Sequence, residues 1–313
     1  MDKIRAIVVD HSAPGNIRLA DVAAPVPLPN QALVRVAATS LNRGEIRMAG
    51  MGESGRRIGW DFAGTVERAA PNGSGPAAGS RVVGMLATGA WAEHIAVPTD
   101  AMAVLPDAVS FAQAATLPVA GLTALYGLEK GGGLLGRRVL ITGGTGGIGH
   151  FGIQLARLGG AHVIASVRSP ERAALVLEAG AHEVIVGDSS STLGSHGPYD
   201  VILDGVGGSM LGAAVTHLSK DGTCVIYGAT AGTEVTLSLR AFYSAGGARL
   251  YGFILFHELL QTPATVGLGR LAALVAQGAL RPPVDVEVPL ARIGELVQQL
   301  NDRKFTGKAV ITF

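Results

Sequence analysis

Thr142-Gly143-Gly144-Thr145-Gly146-Gly147-Ile148-Gly149 follows the apolar run Arg138-Val139-Leu140-Ile141 and opens a segment of helical spacing, with Phe151, Ile153, Leu155, Ala156 and Leu158 as its apolar positions. Gly144, Gly146 and Gly149 fit G-x-G-x-x-G, whose glycines permit a tight turn, close approach of backbone to a pyrophosphate, and packing of helix on strand. The pattern alone is weak. A strand before it and an amphipathic helix after it supply the context of a dinucleotide cradle. Amides of a first helical turn have no carbonyl partner inside the helix and can hold phosphates. Gly144, Thr145, Gly146, Gly147, Ile148 and Gly149 are therefore expected to bind the cofactor.

The surroundings of the turn predict an α/β domain. From about Ala112 helical segments alternate with buried strands, expected at Arg138 to Ile141, His162 to Val167, Glu183 to Val186, Asp200 to Leu203, Thr223 to Tyr227 and Arg249 to Leu255. Six such strands fit a doubly wound parallel Rossmann sheet. Ser169-Pro170-Glu171 reads as N-cap, first helical residue and acidic first turn, with Gly180 closing that helix. Leu259 to Gly278 reads as a further helix.

The choice of cofactor is read at the end of the second strand. An NAD site places a carboxylate there for the adenosine ribose. Between Lys130 and Pro170 the chain has no acidic residue, and the strand ends Ala165-Ser166-Val167-Arg168. Ser166, Arg168 and Arg172 suit a 2'-phosphate, so NADPH is expected over NADH.

Before Ala112 the pattern is β-rich. Lys3 to Val9, Ala32 to Ala38, Phe62 to Ala69, Arg81 to Met85 and Trp91 to Val97 are short apolar runs, separated by connectors such as Ala23 to Asn30 and Ala70 to Pro76. Proline and glycine mark the breaks. Such strands suggest a partly closed, barrel-like β domain. The tail Phe305 to Phe313 reads as a strand that rejoins it.

Bulk properties narrow the function. The 313 residues are 48% hydrophobic, enough for two cored domains, and the net charge of +1 gives little counterion release at a nucleic acid. No apolar run approaches the roughly 18 residues needed to span a bilayer, and Met1 to Arg5 opens a short strand with no signal-like core. Neither nucleic acid nor membrane is an expected partner, and a cytoplasmic protein is expected. Cys224 is the only cysteine, which excludes an internal disulfide and zinc sites built from several thiolates. It sits in an apolar strand, where a buried inert thiol is the simpler reading.

Several stretches in order resemble the medium-chain dehydrogenase/reductase superfamily, specifically its zinc-free quinone oxidoreductase and enoyl reductase branch: Ser40 to Glu45, Gly59 to Gly64, Gly89 to His94, Leu117 to Ala124, the glycine turn, Leu203 to Gly208, and Gly307-Lys308. The resemblance covers nearly the whole chain. It implies a discontinuous catalytic domain, 1–115 plus 257–313, with a Rossmann domain, 116–256, inserted in it. Zinc-dependent relatives hold a catalytic metal at three positions, which by local similarity fall at Asn42, Trp60 and Ala120. Trp and Ala cannot bind zinc and Asn is a poor ligand, so no metal is expected.

The resemblance also brings Asn42 and Thr123 into the cleft as groups that orient the nicotinamide or a substrate carbonyl. It places Tyr227, Phe253, Ile254 and Lys308 at the cofactor, and Trp60 and Arg43 at the substrate pocket. Each role has a plainer counterpart: Asn42 as a cap, Thr123 bonded within its helix, Tyr227 as core. A tyrosine that many relatives carry shortly after the Asn motif is missing from Ile46 to Gly52, so the proton donor is unassigned.

Other constellations carry less. Tyr126 and Lys130 match Y-x-x-x-K, but they precede the glycine turn, whereas short-chain dehydrogenases place that pair well after it. The eight histidines show no metal-ligand spacing, and His257-Glu258 reads as a solvated pair. The expectation is thus a homodimeric, NADPH-dependent, metal-independent reductase that transfers hydride to a quinone or an α,β-unsaturated carbonyl compound. Alternatives are a tailoring enoyl or ketone reductase of a biosynthetic pathway and an NADPH-binding protein whose catalysis has lapsed.

Overall fold

The computed structural model describes residues 3–187 and 190–313. In chain order the strands are β1 (Lys3–Val9), β2 (Ile17–Ala23), β3 (Gln31–Ser40), β4 (Asp61–Arg68), β5 (Arg81–Met85), β6 (His94–Pro98), β7 (Met102–Val104), β8 (Arg138–Ile141), β9 (His162–Val167), β10 (Glu183–Val186), β11 (Tyr199–Asp204), β12 (Leu218–Ile226), β13 (Arg249–Gly252), β14 (Val284–Pro289) and β15 (Lys308–Thr312). The chain divides into two compact units: residues up to Leu122 together with Leu259–Phe313, and Thr123–Glu258. Residues 116–122 thus fold with the first unit.

The Thr123–Glu258 unit is built on a six-stranded sheet in the order β10-β9-β8-β11-β12-β13. Every pairing in it is parallel. Parallel strands lie between helices and bury both faces, which is why they read as unbroken apolar runs. Val139, Leu140, Ile141, Val201, Ile202 and Leu203 are all 0% exposed. One face packs Leu140, Ile164, Ile202 and Cys224 against Met210 and Leu211. Truncating a residue such as Ile202 to alanine there costs about 2–5 kcal/mol. Burial raises the Cys224 thiol well above its ordinary value. The strand order reverses between β8 and β11, and this leaves a crevice at their carboxyl ends.

The other unit is organised around β3, which pairs antiparallel with β4, β6 and β15. The sheet runs β14-β15-β3-β4-β5-β7, and β1-β2 form a separate antiparallel ladder. β15 aligns Val310 with Ser40 and Thr312 with Ala38, so the tail strand rejoins the first β region as its sequence suggests. Among the described residues this sheet stays open, where the sequence suggested partial closure into a barrel.

Three local expectations need correction. β13 ends at Gly252 and the chain turns into a short helix, Leu255–Glu258, where a strand was expected to run to Leu255. Glu258 is the cause: it is 4% exposed, not solvated, and ties that helix to Lys130 and Tyr251. Ser169 has extended N-cap backbone but no side-chain cap, because its hydroxyl donates to Glu171 instead. The expected helix from Leu259 starts only at Ala264, directly after Pro263.

Candidate functional site

In the Thr123–Glu258 unit the glycine turn joins β8 to the helix Gly147–Leu158. Gly143 has φ of +62°, a left-handed conformation that glycine adopts without penalty. At Gly149 a Cβ would lie 2.4 Å from the Gly143 carbonyl oxygen, so only glycine lets the helix sit this close to the turn. These are the features a pyrophosphate cradle requires, and they sit at the switch point of the sheet. Ser166 is buried beneath the turn, its hydroxyl accepting from the Gly143 N–H at 3.2 Å and its carbonyl from the Gly144 N–H at 2.9 Å. It therefore shapes the loop. Arg172 donates to the Thr145 hydroxyl at 3.4 Å, which holds a guanidinium beside the turn. Arg168 is exposed just beyond β9.

A tie across the crevice escaped the sequence reading. Asp204 ends β11 fully buried, accepting from the Thr142 hydroxyl at 2.6 Å and the Gly207 N–H at 2.9 Å. The Thr142 oxygen in turn accepts from the Gly205 N–H at 3.1 Å. Burial raises the Asp204 carboxyl above its ordinary value. The Tyr227 ring packs over Gly205, and burial raises its hydroxyl. Thr123 and Phe253 are each 4% exposed, whereas Ile254 is 66% exposed. Tyr251 donates to Glu258 at 2.5 Å, and Lys130 pairs with the other oxygen of that carboxylate at 2.5 Å.

The histidines are less scattered than their spacing suggests. His162 and His196 both bond Glu183, and His162 stacks on His182 at 4.4 Å. Those bonds, from His196 first and His162 second, hold the Glu183 carboxyl down at about 2. The cluster lies at the amino ends of β9 and β10, the sheet edge opposite the glycine turn.

In the other unit Asn42 precedes the helix Arg43–Met51, and Glu45 reaches back to accept from its backbone N–H at 2.7 Å. This reciprocal contact is what a capping box does. The Asn42 amide is occupied as well. Its nitrogen donates to Asp61 at 2.8 Å and to Glu45 at 3.1 Å, while its oxygen accepts from Lys308 at 2.5 Å. The Lys308 ammonium also donates to the Leu41 carbonyl at 2.7 Å and lies 3.6 Å from Asp61. Asp61 further accepts from the Ser40 hydroxyl at 2.6 Å and the Val119 N–H at 3.0 Å. Asn42 and Lys308, expected at the nicotinamide end and the cofactor, thus meet in one buried polar cluster with Asp61 and Glu45. No local signal in the sequence announces this cluster, because Asp61 and Lys308 lie in separate motifs far apart in the chain.

Burial, reinforced by the Asp61 charge, pushes the Glu45 carboxyl up to about 8 against the pull of Lys308 and the two N–H donors. Burial likewise lowers Lys308, although both carboxylates oppose it. The Trp60 backbone N–H donates to Glu45, and its indole lies against Gly44, where a Cβ would come within 2.7 Å of the ring. Trp60, Glu45, Met48, Ile58, Arg56 and Thr88 line a shallow open depression of about 10 Å³, room for no more than a water molecule. Arg43 lies on the exposed side of its helix and is not part of that wall. Among the described residues no group of three or more His, Cys, Asp or Glu side chains is placed to hold a metal ion. No helix among them is long and apolar enough to cross a membrane.

Residues 28–107 match the alcohol dehydrogenase GroES-like domain, and residues 147–268 match the zinc-binding dehydrogenase family. The quinone oxidoreductase structure from Coxiella burnetii superposes with a TM-score of 0.85 at 26% identity, over 100% of both chains. The chain belongs to the medium-chain dehydrogenase/reductase superfamily, in its quinone oxidoreductase-like branch. A mycobacterial protein solved in complex with NADPH superposes with a TM-score of 0.87 at 26% identity over 100% of both chains. The spectinabilin polyketide synthase system protein NorB of Streptomyces orinoci is 34% identical over 93% of this chain. The match takes up only 13% of NorB, so the chain spans a small part of that relative's length.

Proposed function

We propose that the chain is an NADPH-dependent, zinc-independent reductase of a quinone or an α,β-unsaturated carbonyl compound. The carrying observation is the glycine turn at the sheet's switch point with the Arg172 guanidinium beside it. When bound, NADPH supplies the hydride. Amides of the first turn after Gly146 would hold its pyrophosphate, and Arg168 and Arg172 its 2'-phosphate. The Asp204-Thr142 tie fixes the crevice between β8 and β11, and the Glu258 contacts hold the segment after β13 in place. The resemblance assigns Trp60 to the substrate pocket, where an indole face would suit a flat conjugated acceptor. Zinc independence is supported by the residues at the three ligand positions, since Trp60 and Ala120 have no metal-binding donor.

Similarity to a polyketide synthase protein favours a second reading, a tailoring enoyl reductase acting on a biosynthetic intermediate. Homodimerisation is part of the proposal, supported by β13 as an open edge strand on which Leu250 is 43% exposed.

Titration of the chelator-treated chain with NADPH and NADH, followed by acceptor-dependent oxidation with a quinone and an enone, tests the reading. Arg172→Ala is expected to weaken NADPH binding about 10- to 100-fold, the worth of charge-assisted hydrogen bonds, and to leave NADH unchanged. An equal loss for both cofactors would remove Arg172 from the phosphate site. Tight NADPH binding with no turnover on any acceptor would favour a lapsed, binding-only protein.

A further inference from the structure

Three loops at the carboxyl edge of the parallel sheet are bonded to one another in series. The first, after β8, meets the second, after β11, through side chains. Thr142 and Asp204 are both 0% exposed; the Thr142 hydroxyl donates to one oxygen of the Asp204 carboxylate, and the Gly207 N–H to the other. The second loop meets the third, after β12, through Gly205 to Gly208. The Gly205 carbonyl accepts from the Thr230 hydroxyl at 3.1 Å and the Thr230 N–H at 3.3 Å, and the Val206 carbonyl from the Ala231 N–H at 2.8 Å. The Gly208 N–H donates to the Gly232 carbonyl at 3.1 Å. A Cβ at Gly207 would lie 2.5 Å from the Gly232 carbonyl oxygen, so glycine is what lets these two loops close on each other.

These contacts cross a division in the fold. A doubly wound sheet consists of two mononucleotide-binding halves, and a dinucleotide lies across the crevice between them. The glycine turn after β8 belongs to the first half, and the loops after β11 and β12 belong to the second. Removing the Thr142 hydroxyl takes a donor from Asp204 and the acceptor from the Gly205 N–H, two buried groups that water does not reach to replace it. In a buried network one missing member leaves its neighbours short of partners as well.

We propose that Thr142 and Asp204 are positioning residues that couple the two halves of the NADPH site, with Thr230 carrying the coupling into the loop after β12. A nucleotide phosphate seated at the glycine turn then steadies residues 227–232 in the opposite half. The coupling presupposes NADPH as the cofactor. Ordering one part of a network lowers the ordering cost of binding at another part, which gives positive cooperativity with no change of shape.

The probe is adenosine 2',5'-bisphosphate, which carries the adenosine end of the cofactor and no nicotinamide. In the full-length chain, amide hydrogen exchange followed by NMR is expected to slow at Thr230 and Ala231 when this probe binds, by about fivefold or more. Thr142→Val keeps the side chain's shape and is expected to bind the probe without that slowing. Calorimetric titration with NADPH is expected to show about tenfold weaker binding in Thr142→Val at unchanged stoichiometry, and recovery to within about twofold of wild type in Thr142→Ser, which restores the hydroxyl. Thr230→Val, at an exposed position and so a safer variant for folding, is expected to weaken NADPH binding about threefold and to lose the slowing at Ala231. Slowing confined to the glycine turn in wild type, or wild-type affinity with reduced stoichiometry in Thr142→Val, would overturn the coupling and leave the cofactor reading standing. Failure of the wild type to bind either NADPH or the probe would overturn the cofactor reading and the coupling with it.

Discussion

Two residues carry opposite kinds of constraint. Gly149 is steric: a Cβ there meets the Gly143 carbonyl at 2.4 Å, whereas at Gly146 the same atom is 3.4 Å away. Gly149→Ala is therefore expected to weaken NADPH binding at least tenfold and to lower Tm, and Gly146→Ala to do much less of both. Equal effects in calorimetry and thermal melts would contradict the packing account. Glu45 is electrostatic. Its folded pKa, raised by burial to about 8 from 4.5, means that the unfolded chain releases this proton first. Its contribution to stability is full below about pH 4.5 and is lost as pH rises through about 8. At about 1.4 kcal/mol per pH unit, the loss amounts to a few kcal/mol. Denaturant unfolding across this range is expected to show that slope in wild type and a flatter one in E45Q. Identical slopes would mean that Glu45 is ionised in the fold.

At the scale of elements, local pattern and long-range contact divide the account between them. The glycine turn, the six parallel strands and the tail strand β15 were legible because each is written as an uninterrupted run with its own punctuation. The helix Leu255–Glu258 was not, since its apolar lead-in reads equally as strand. What decides it is Glu258, held at 2.5 Å by both Lys130 and Tyr251. Likewise nothing local couples Asp204 to Thr142, or Lys308 to Asn42, because those pairs meet only once the sheets have formed. Glu258→Gln is expected to cost about 1–3 kcal/mol, the range for a partly buried pair that loses its charge. Hydrogen exchange is expected to quicken within 251–258 ahead of β11 and β12. Uniform protection after the substitution would detach Glu258 from the positioning of this segment.

At the scale of the whole molecule, the proposed dimer depends on the free edge of the parallel sheet. β13 ends the strand order, and along or just beyond it Leu250 is 43% and Ile254 66% exposed. An open apolar edge invites pairing with another strand, and a lysine placed on it discourages that pairing. Light scattering is expected to give a dimer for wild type and a shift toward monomer for Leu250→Lys. A wild-type mass that stays monomeric at every concentration would rule the dimer out. The cofactor reading does not depend on that result, since it rests on the Thr123–Glu258 unit alone.

In the proposed function this unit presents NADPH for metal-independent reduction of a conjugated carbonyl compound. Acceptor-dependent oxidation of NADPH by the chelator-treated chain, with phenanthrenequinone and an enone in parallel, tests it most directly. Saturable NADPH consumption is expected, undiminished by chelation and far weaker with NADH. No binding of NADPH, or turnover that appears only when zinc is restored, would contradict it.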